Sequence, residues 1–371
     1  MIHQLETSEY SKAWPLFEAM DYHLATQALL AGILPGAVYV DDRSAPRSAL
    51  ARVGFRFFLV GFEGNDRFNE GLRRLFLETI YPQAQAAGRV EFVLYYEPGR
   101  WEREIEGILE GKFPMQDTRH YYVFRDLRHD WRARIPPGLA LHPVDRALLE
   151  GERLGNLDPL VEEVLSEGAS VEHYRTHRFG FCVASQDEIA GWCLSENNWQ
   201  DRCEVGIGTF EGYRRRGIAT ITASALIEDA LARGLTTVGW HCYASNEASM
   251  ATAQTVGFEK ASEYPVYFAW FDEVANLAVN GNMRFWQGQH REALTWYERA
   301  FGAERAPVWA YVNAAGANSL LGEREAAFRC LRQAIERGFD DVERLKNSPH
   351  LKALHGTAEW QALIARLEAP G

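Results

Sequence analysis

The sequence has few cysteines, no excess of basic residues and no long apolar run. No stretch approaches the roughly 20 apolar residues of a membrane span, and the first residues lack a basic segment followed by an apolar one. We therefore expect no membrane association, no signal peptide and a cytoplasmic protein. The cysteines are scattered without a CxxC pair, which favours buried reduced thiols and excludes a disulfide framework or a zinc site. They are Cys182, Cys193, Cys203, Cys242 and Cys330.

Basic residues are outnumbered, with 39 Lys and Arg against 51 Asp and Glu, which gives a net charge of −12. Nucleic-acid binding requires a basic surface, so we expect no nucleic-acid partner. An acidic protein attracts cations, which favours a cationic small molecule such as a polyamine or an aminoglycoside as its ligand. Attraction alone does not separate these from a lysine or an N-terminal amine.

The chain has 371 residues, which predicts two or three domains. Two segments near the C-terminus are alike, WQGQHREALTWYERAF and LLGEREAAFRCLRQAI. Their glycines, Gly288 and Gly322, are separated by 34 residues. Ala293 and Ala327 keep this interval, as do Ala300 and Ala334. The period resembles tetratricopeptide repeats and predicts an all-α helical-repeat domain over residues 273–371. A generic helical bundle is the alternative. Such repeats imply a protein partner or self-association, and a purely stabilising appendage remains open.

Two earlier blocks repeat the order strand–helix–strand–helix–strand. The first runs from FRFFLVGF to RHYYVFRDL, and the second from CEVGIGTF to YPVYFAWF. The segment Ile135-Pro136-Pro137-Gly138 is the natural joint between them. We predict an α/β mixed sheet, with domains at residues 1–135 and 136–272.

The segment EVGIGTFEGYRRRGIAT, residues 204–220, predicts an anion site. A strand ends, a short turn follows, and arginines with Gly217 precede a helix. First-turn N–H groups of a helix lack intrahelical partners, and the helix dipole adds positive charge there. Gly217 and Ala219 let an oxygen-rich group, such as a pyrophosphate, approach the backbone.

Arg214, Gly217 and Ala219 match the pattern Q/R-x-x-G-x-G/A, and Asn246 and Ser249 open a later helix that ends at Gly257-Phe258. Residues 136–272 therefore resemble the GNAT (GCN5-related) N-acetyltransferase superfamily. The segment LAGILPGAVYVDD is similar to the N-terminal segment of the zwittermicin-resistance acetyltransferases, a GNAT subgroup. This resemblance implies tandem GNAT halves. The first half has carboxylates at Glu63 and Asp66 in the equivalent turn, so we expect it to lack a CoA loop.

The resemblance implies acetyl-CoA as co-substrate, held by a pantetheine-pairing strand, a pyrophosphate loop and a second helix. It implies transfer of an acetyl group to a primary amine, on a small molecule or a peptide, by direct attack. The implied cofactor-binding residues are Ile207, Thr209, Arg214, Arg215, Arg216, Gly217, Ile218, Ala219, Thr220, Asn246 and Ser249.

The catalytic residues are less defined by the sequence. Glu204, at the start of the strand before the loop, is the candidate base, with a surface ion pair as the alternative. Many relatives place a tyrosine acid seven positions after the Asn, where this chain has Ala253. We take Tyr264 as the candidate acid, with Tyr243 and His241 open. The missing tyrosine leaves a second function possible, a non-catalytic CoA-binding protein whose repeats recruit a partner.

Overall fold

The computed structural model describes residues 2–128, 130–151, 154–166, 168, 170–303 and 305–368. Met1 and residues 369–371, at the ends of the first and last predicted domains, lie outside the described residues. The chain divides into two compact units. One comprises Met1–Arg74, Val93–Ile108 and Gln116–Phe268, and the other Leu75–Phe92, Leu109–Met115 and Ala269–Gly371.

The described residues form one sheet of twelve strands, in the order β1-β2-β3-β4-β5-β12-β6-β11-β10-β9-β8-β7. The strands are β1 His3–Gln4, β2 Ala37–Val40, β3 Ser48–Val53, β4 Arg56–Gly61, β5 Glu91–Tyr96, β6 Met115–Phe124, β7 Ala140–Pro143, β8 Gly180–Ala184, β9 Ile189–Trp199, β10 Arg202–Thr209, β11 Thr237–Tyr243 and β12 Phe258–Trp270. Parallel and antiparallel pairs both occur, so the sheet is mixed, as predicted.

Helices connect and follow the strands. They are α1 Leu24–Leu30, α2 Asp66–Arg74, α3 Tyr81–Ala86, α4 Glu102–Ile108, α5 Arg146–Glu150, α6 Leu157–Ser166, α7 Val171–His177, α8 Ile218–Ala232, α9 Glu247–Val256, α10 Glu273–Trp286, α11 His290–Phe301, α12 Val308–Leu320, α13 Arg324–Glu336, α14 Val342–Asn347 and α15 Ala358–Glu368. In the described part of the chain, no helix is both long and apolar enough to cross a membrane.

The two repeated blocks interlock through their last strands. The first block supplies β4, β5 and β6, and the second supplies β10, β11 and β12. In the sheet, β6 lies next to β11 and β12 lies next to β5, so each final strand neighbours the middle strand of the other block. Each block therefore contributes a strand that lies between or beside strands of the other block. The domain boundary at residue 135 stays a prediction from the repeated order of strands and helices.

Two predicted elements differ from the structure. The final strand was expected over YPVYFAWF, but β12 begins at Phe258. Its first half is polar and largely exposed, so it carries no apolar pattern to reveal a strand. In the first block the segment FNEGLRRLFLETIYPQAQAAG predicts one helix over residues 68–88. In the structure a π-helical segment, Leu75–Ile80, lies between α2 and α3. Buried positions recur every four residues throughout, so the pattern did not show the change of helix type. They are Phe68, Leu72, Phe76, Ile80 and Ala84.

Helix α8 packs on β8, β9 and β10 and is apolar on nearly all sides. A helix with this pattern is expected to be buried. Ile218, Ile221 and Leu226 are each no more than 1% exposed. The first turn of α8 is thereby held rigidly where the polypeptide leaves β10.

The C-terminal helices form pairs, with α10 against α11 and α12 against α13. The positions that match at 34 residues have the same environments. Gly288 and Gly322 each follow a helix with a φ of 77°. Ala293 and Ala327 are fully buried, and Ala300 and Ala334 are as well. The two helical pairs are thus built alike at these positions.

A leucine at Gly281 is expected to destabilise this helical unit by about 2 kcal/mol, within the range for overpacked sites. A Cβ at Gly281 would lie 2.7 Å from the Tyr297 ring, and both residues are buried. Urea unfolding followed by circular dichroism measures the effect. Gly356→Leu is the matched control, since a Cβ at Gly356 meets nothing within 4 Å. Equal stability of the two variants would contradict the close packing of α10 on α11.

Candidate functional site

Strands β10 and β11 separate after a short pairing. They pair in parallel from Arg202 to Glu204, opposite Thr237 to Gly239. Beyond Glu204, β10 keeps its antiparallel pairing with β9, and β11 keeps its pairing with β6. The facing edges of Val205–Thr209 and 240–243 therefore diverge. Their backbone groups can accept an extended ligand as a further strand.

A cavity of about 800 Å³ occupies this opening. It contains ten of the eleven positions predicted to bind a cofactor. They are Ile207, Thr209, Arg214, Arg215, Gly217, Ile218, Ala219, Thr220, Asn246 and Ser249. Arg216 is the exception: its guanidinium lies over the Tyr213 ring, 5.2 Å from the ring centroid. The sequence motif did not distinguish Arg216 from its two neighbours because all three are consecutive arginines.

The loop predicted to bind an anion lies at one end of the cavity. Gly217 is the N-cap of α8 with a φ of 79°, and Arg215 also has a positive φ of 63°. The first intrahelical bond runs from the Ile221 N–H to the Gly217 carbonyl, 3.0 Å. The preceding amides have no intrahelical partner, and no side chain caps them. A Cβ at Gly217 would meet nothing within 4 Å, so the space in front of the loop is open.

The equivalent turn before α2 is closed by its own side chain. Asn65 Oδ1 accepts from the Phe68 N–H at 3.2 Å, and its amide donates to Asp41 Oδ2 at 3.0 Å. The amide that an anion would use is therefore already bonded. This contact supports the expectation that the first block has no pyrophosphate site.

Asn246 and Ser249 organise the start of α9. Asn246 Oδ1 accepts from the Ser249 N–H, 3.0 Å, and Ser249 Oγ accepts from Trp240 Nε1, 3.0 Å. Both residues line the cavity, but these bonds also attach α9 to β11. The Ser249 side chain also hydrogen-bonds the Cys242 thiol.

The two predicted catalytic residues meet at the inner end of the opening, on either side of His241. His241 Nδ1 and the Tyr264 hydroxyl are 2.7 Å apart, and His241 Nε2 lies 3.5 Å from Glu204 Oε1. Nε2 also faces the Tyr22 carbonyl at 3.2 Å. Two acceptors at Nε2 assign the proton there, so Nδ1 accepts from Tyr264 in the neutral ring. Of the three, only His241 lines the large cavity.

Glu204 is a buried and fully bonded carboxylate. Burial raises the pKa of Glu204, but the paired His241 and the hydrogen bonds from the Leu24 N–H and the Asn197 amide outweigh it. The pKa lies below its ordinary value. Each of these two donors is 2.7 Å from a Glu204 oxygen. Such a carboxylate is a weak base and suits the positioning of His241.

Burial raises the pKa of Tyr264 well above its ordinary value, so this phenol stays protonated. Burial also raises the pKa of Cys242, which lines the cavity as a thiol. This agrees with the expectation of a buried reduced thiol at Cys242. Within the described residues no group of three His, Cys, Asp or Glu side chains could hold a metal.

Sequence reasoning missed Arg119, Glu196 and His23 at this inner end. Arg119 and Glu196 line the large cavity, and His23 stacks on His241 with ring centroids 5.3 Å apart. His23 and Arg119 come from the predicted first domain, residues 1–135, and lie outside the segments whose motifs indicated the site. One signal was available: Glu196 lies directly opposite Glu204 in the hairpin of β9 and β10. Like charges rarely face each other without function or compensation.

Comparison with known proteins identifies the family. The family model described as GNAT acetyltransferase matches residues 14–267, more than half of the chain. The chain belongs to the GNAT acetyltransferase family. The family uses acetyl-CoA, and this membership supports acyltransferase activity for the chain.

Individual relatives agree with this assignment. The uncharacterized N-acetyltransferase YdfB of Bacillus subtilis is 25% identical over 72% of this chain and 99% of its own length. A GCN5-related N-acetyltransferase-like protein from Streptococcus suis covers 71% of this chain and 98% of its own, with a TM-score of 0.53 and 21% identity. A tandem GNAT protein from the clavulanic acid biosynthesis pathway covers 73% and 98%, with a TM-score of 0.44 and 13% identity. The likeness to the Streptococcus suis protein confirms the mixed-sheet GNAT fold.

Proposed function

We propose that this chain transfers an acetyl group from acetyl-CoA to a primary amine by direct attack. One observation carries the proposal. Strand β10 separates from β11, and the chain that follows β10 leads to the N-terminus of α8, which has no side-chain cap at Gly217. The pantetheine arm would pair with Ile207 and Thr209. The pyrophosphate would lie against the amides of residues 215–220, and Asn246 and Ser249 would line the other side.

In this reaction the acceptor nitrogen forms a bond to the acyl carbon as the carbon–sulfur bond breaks. The ammonium must first lose a proton to a base, and a second proton leaves the attacking nitrogen as the thiolate takes one up. His241 is the group best placed for the first step, since it lines the cavity. Uptake at Nδ1 would reverse its bond to Tyr264, with the imidazolium donating to the phenol oxygen. Glu204 would then stabilise the charged ring.

The repeats and the two halves belong to the same proposal. We infer tandem GNAT halves, of the zwittermicin-resistance type, from the repeated strand order and the interlocked final strands. We infer tetratricopeptide-like repeats from the matching environments at Gly288 and Gly322. Their helices would bind a protein partner or a second copy of the chain.

Calorimetry with CoA and thiol release from acetyl-CoA over a panel of amines test the function. We expect CoA binding and acceptor-dependent thiol release. Absence of CoA binding would contradict the site. Binding without turnover on any amine would favour the non-catalytic alternative, which the buried Ala253 at the usual tyrosine position supports.

A further inference from the structure

A second, smaller cavity of about 70 Å³ adjoins the inner end of the large cavity between β10 and β11. We call it the inner chamber. The two cavities share Arg119, Glu196, Val205 and His241 as walls. The remaining walls of the inner chamber are His23, Ala25, Arg56, Phe58, Tyr95 and Glu204. Its volume suits a group of a few heavy atoms, and its walls are mostly polar.

The inner chamber is lined by two carboxylates and two guanidinium groups. Glu196 and Glu204 face each other across β9 and β10, so both side chains project to the same side of the sheet. A Cβ at Gly206 would collide with the Glu196 carboxylate, which explains a glycine there. Arg56 and Arg119 supply the opposite charge. The formal charges of these four side chains cancel.

Two buried polar atoms at the inner chamber lack a hydrogen-bond partner among the described residues. They are His23 Nε2 and Arg119 Nε. His23 is only 4% exposed. Burial lowers the pKa of His23 well below its ordinary value, so its ring is neutral. Arg119 already donates from Nη1 to the Tyr95 hydroxyl, 2.9 Å. An unpartnered buried polar group is unfavourable unless a ligand or water satisfies it.

We propose that the acceptor is an amino acid or another small zwitterion. The inner chamber would bind its ammonium and carboxylate groups. This rests on the proposed acetyl transfer. The charges of the chamber walls cancel, so a ligand with one ammonium and one carboxylate leaves the occupied chamber without net charge. A polyamine would add uncompensated positive charge to a buried site. The carboxylate would be bound by the guanidinium groups. The ammonium would lie beside Glu196, since both oxygens of Glu204 already accept hydrogen bonds.

The chemistry is consistent with release of the product. Acylation forms the carbon–nitrogen bond, breaks the carbon–sulfur bond and removes the positive charge of the ammonium. The N-acyl product carries only its carboxylate, a net negative charge near Glu196 and Glu204. Repulsion by these two groups disfavours the product relative to the substrate.

Thiol release with matched acceptors tests the proposal. The probes are the standard amino acids, their amides, spermidine and an aminoglycoside, at saturating acetyl-CoA. We expect at least one amino acid to have a kcat/KM about tenfold or more above that of its own amide. Faster turnover of an amide, of spermidine or of the aminoglycoside overturns the proposal while leaving acetyl transfer intact. If CoA binds but no amine is acylated, calorimetry on the CoA-loaded protein decides, because failure of every amino acid to bind overturns it.

Variants at two positions that line the inner chamber but not the large cavity give a second test. Arg56→Met is expected to reduce the ratio of kcat/KM for an amino acid to kcat/KM for its amide by about tenfold. A loss of folded protein lowers both values equally and leaves this ratio unchanged. Ala25→Leu is expected to raise the acceptor KM by filling the space. Ala28→Leu, on the same buried helix but outside the chamber walls, is the packing control and should leave that KM unchanged. An unaltered ratio in Arg56→Met and an unaltered KM in Ala25→Leu would overturn the proposal.

Discussion

A valine in place of Gly217 is expected to weaken CoA binding by about 100-fold or more, which corresponds to about 2.7 kcal/mol. Gly217 has a φ of 79°, a conformation that a β-branched residue rarely adopts. Its Cβ would stand in the open space before the first turn of α8, where the pyrophosphate is proposed to lie. Calorimetric titration with CoA measures the change.

Gly234→Val is the matched control for backbone strain. Gly234 lies just past the other end of α8 with a φ of 86°, and a Cβ there also meets nothing within 4 Å. Both valines should therefore cost similar folding stability, about 1–2 kcal/mol. Only Gly217→Val should lose CoA. Equal CoA affinity in the two variants would remove the support for the anion site.

The outer part of the cleft could be predicted from the sequence because its contacts are local. Gly217 and Ala219 are two residues apart, and their roles follow from where a strand ends and a helix begins. The same holds for Asn246, which caps the helix that it precedes. Local chemistry of this kind leaves a readable pattern at fixed spacing.

The inner end could not be predicted because its contacts join distant segments. Leu24 donates to Glu204 across 180 positions, and the Tyr22 carbonyl meets His241. These contacts arise because α1 packs on β9 and β10, an arrangement that the repeated pattern alone did not reveal. The sequence located Glu204 and Tyr264 but not the histidine between them as their common partner.

Glu204→Gln is expected to reduce the free energy of unfolding by about 3 kcal/mol at pH 7. The carboxylate accepts from the Leu24 N–H and the Asn197 amide and faces His241. A carboxamide of the same shape keeps one acceptor oxygen but turns an NH₂ group towards donors in a buried place. Urea unfolding measures the loss. Glu70→Gln, which removes an exposed ion pair with Arg74, is the control and should change little.

The pH dependence separates this electrostatic role from simple packing. The pKa of Glu204 is lower in the folded protein than its ordinary value, so the unfolded chain binds more protons between the two values. The stabilisation by Glu204 is therefore complete above an unfolded pKa of about 4.3 and is lost as the pH falls through the folded pKa. The gap between wild type and Glu204→Gln should shrink as the pH falls below about 4. A gap that persists undiminished in acid would assign Glu204 a packing role and leave His241 without its proposed electrostatic support.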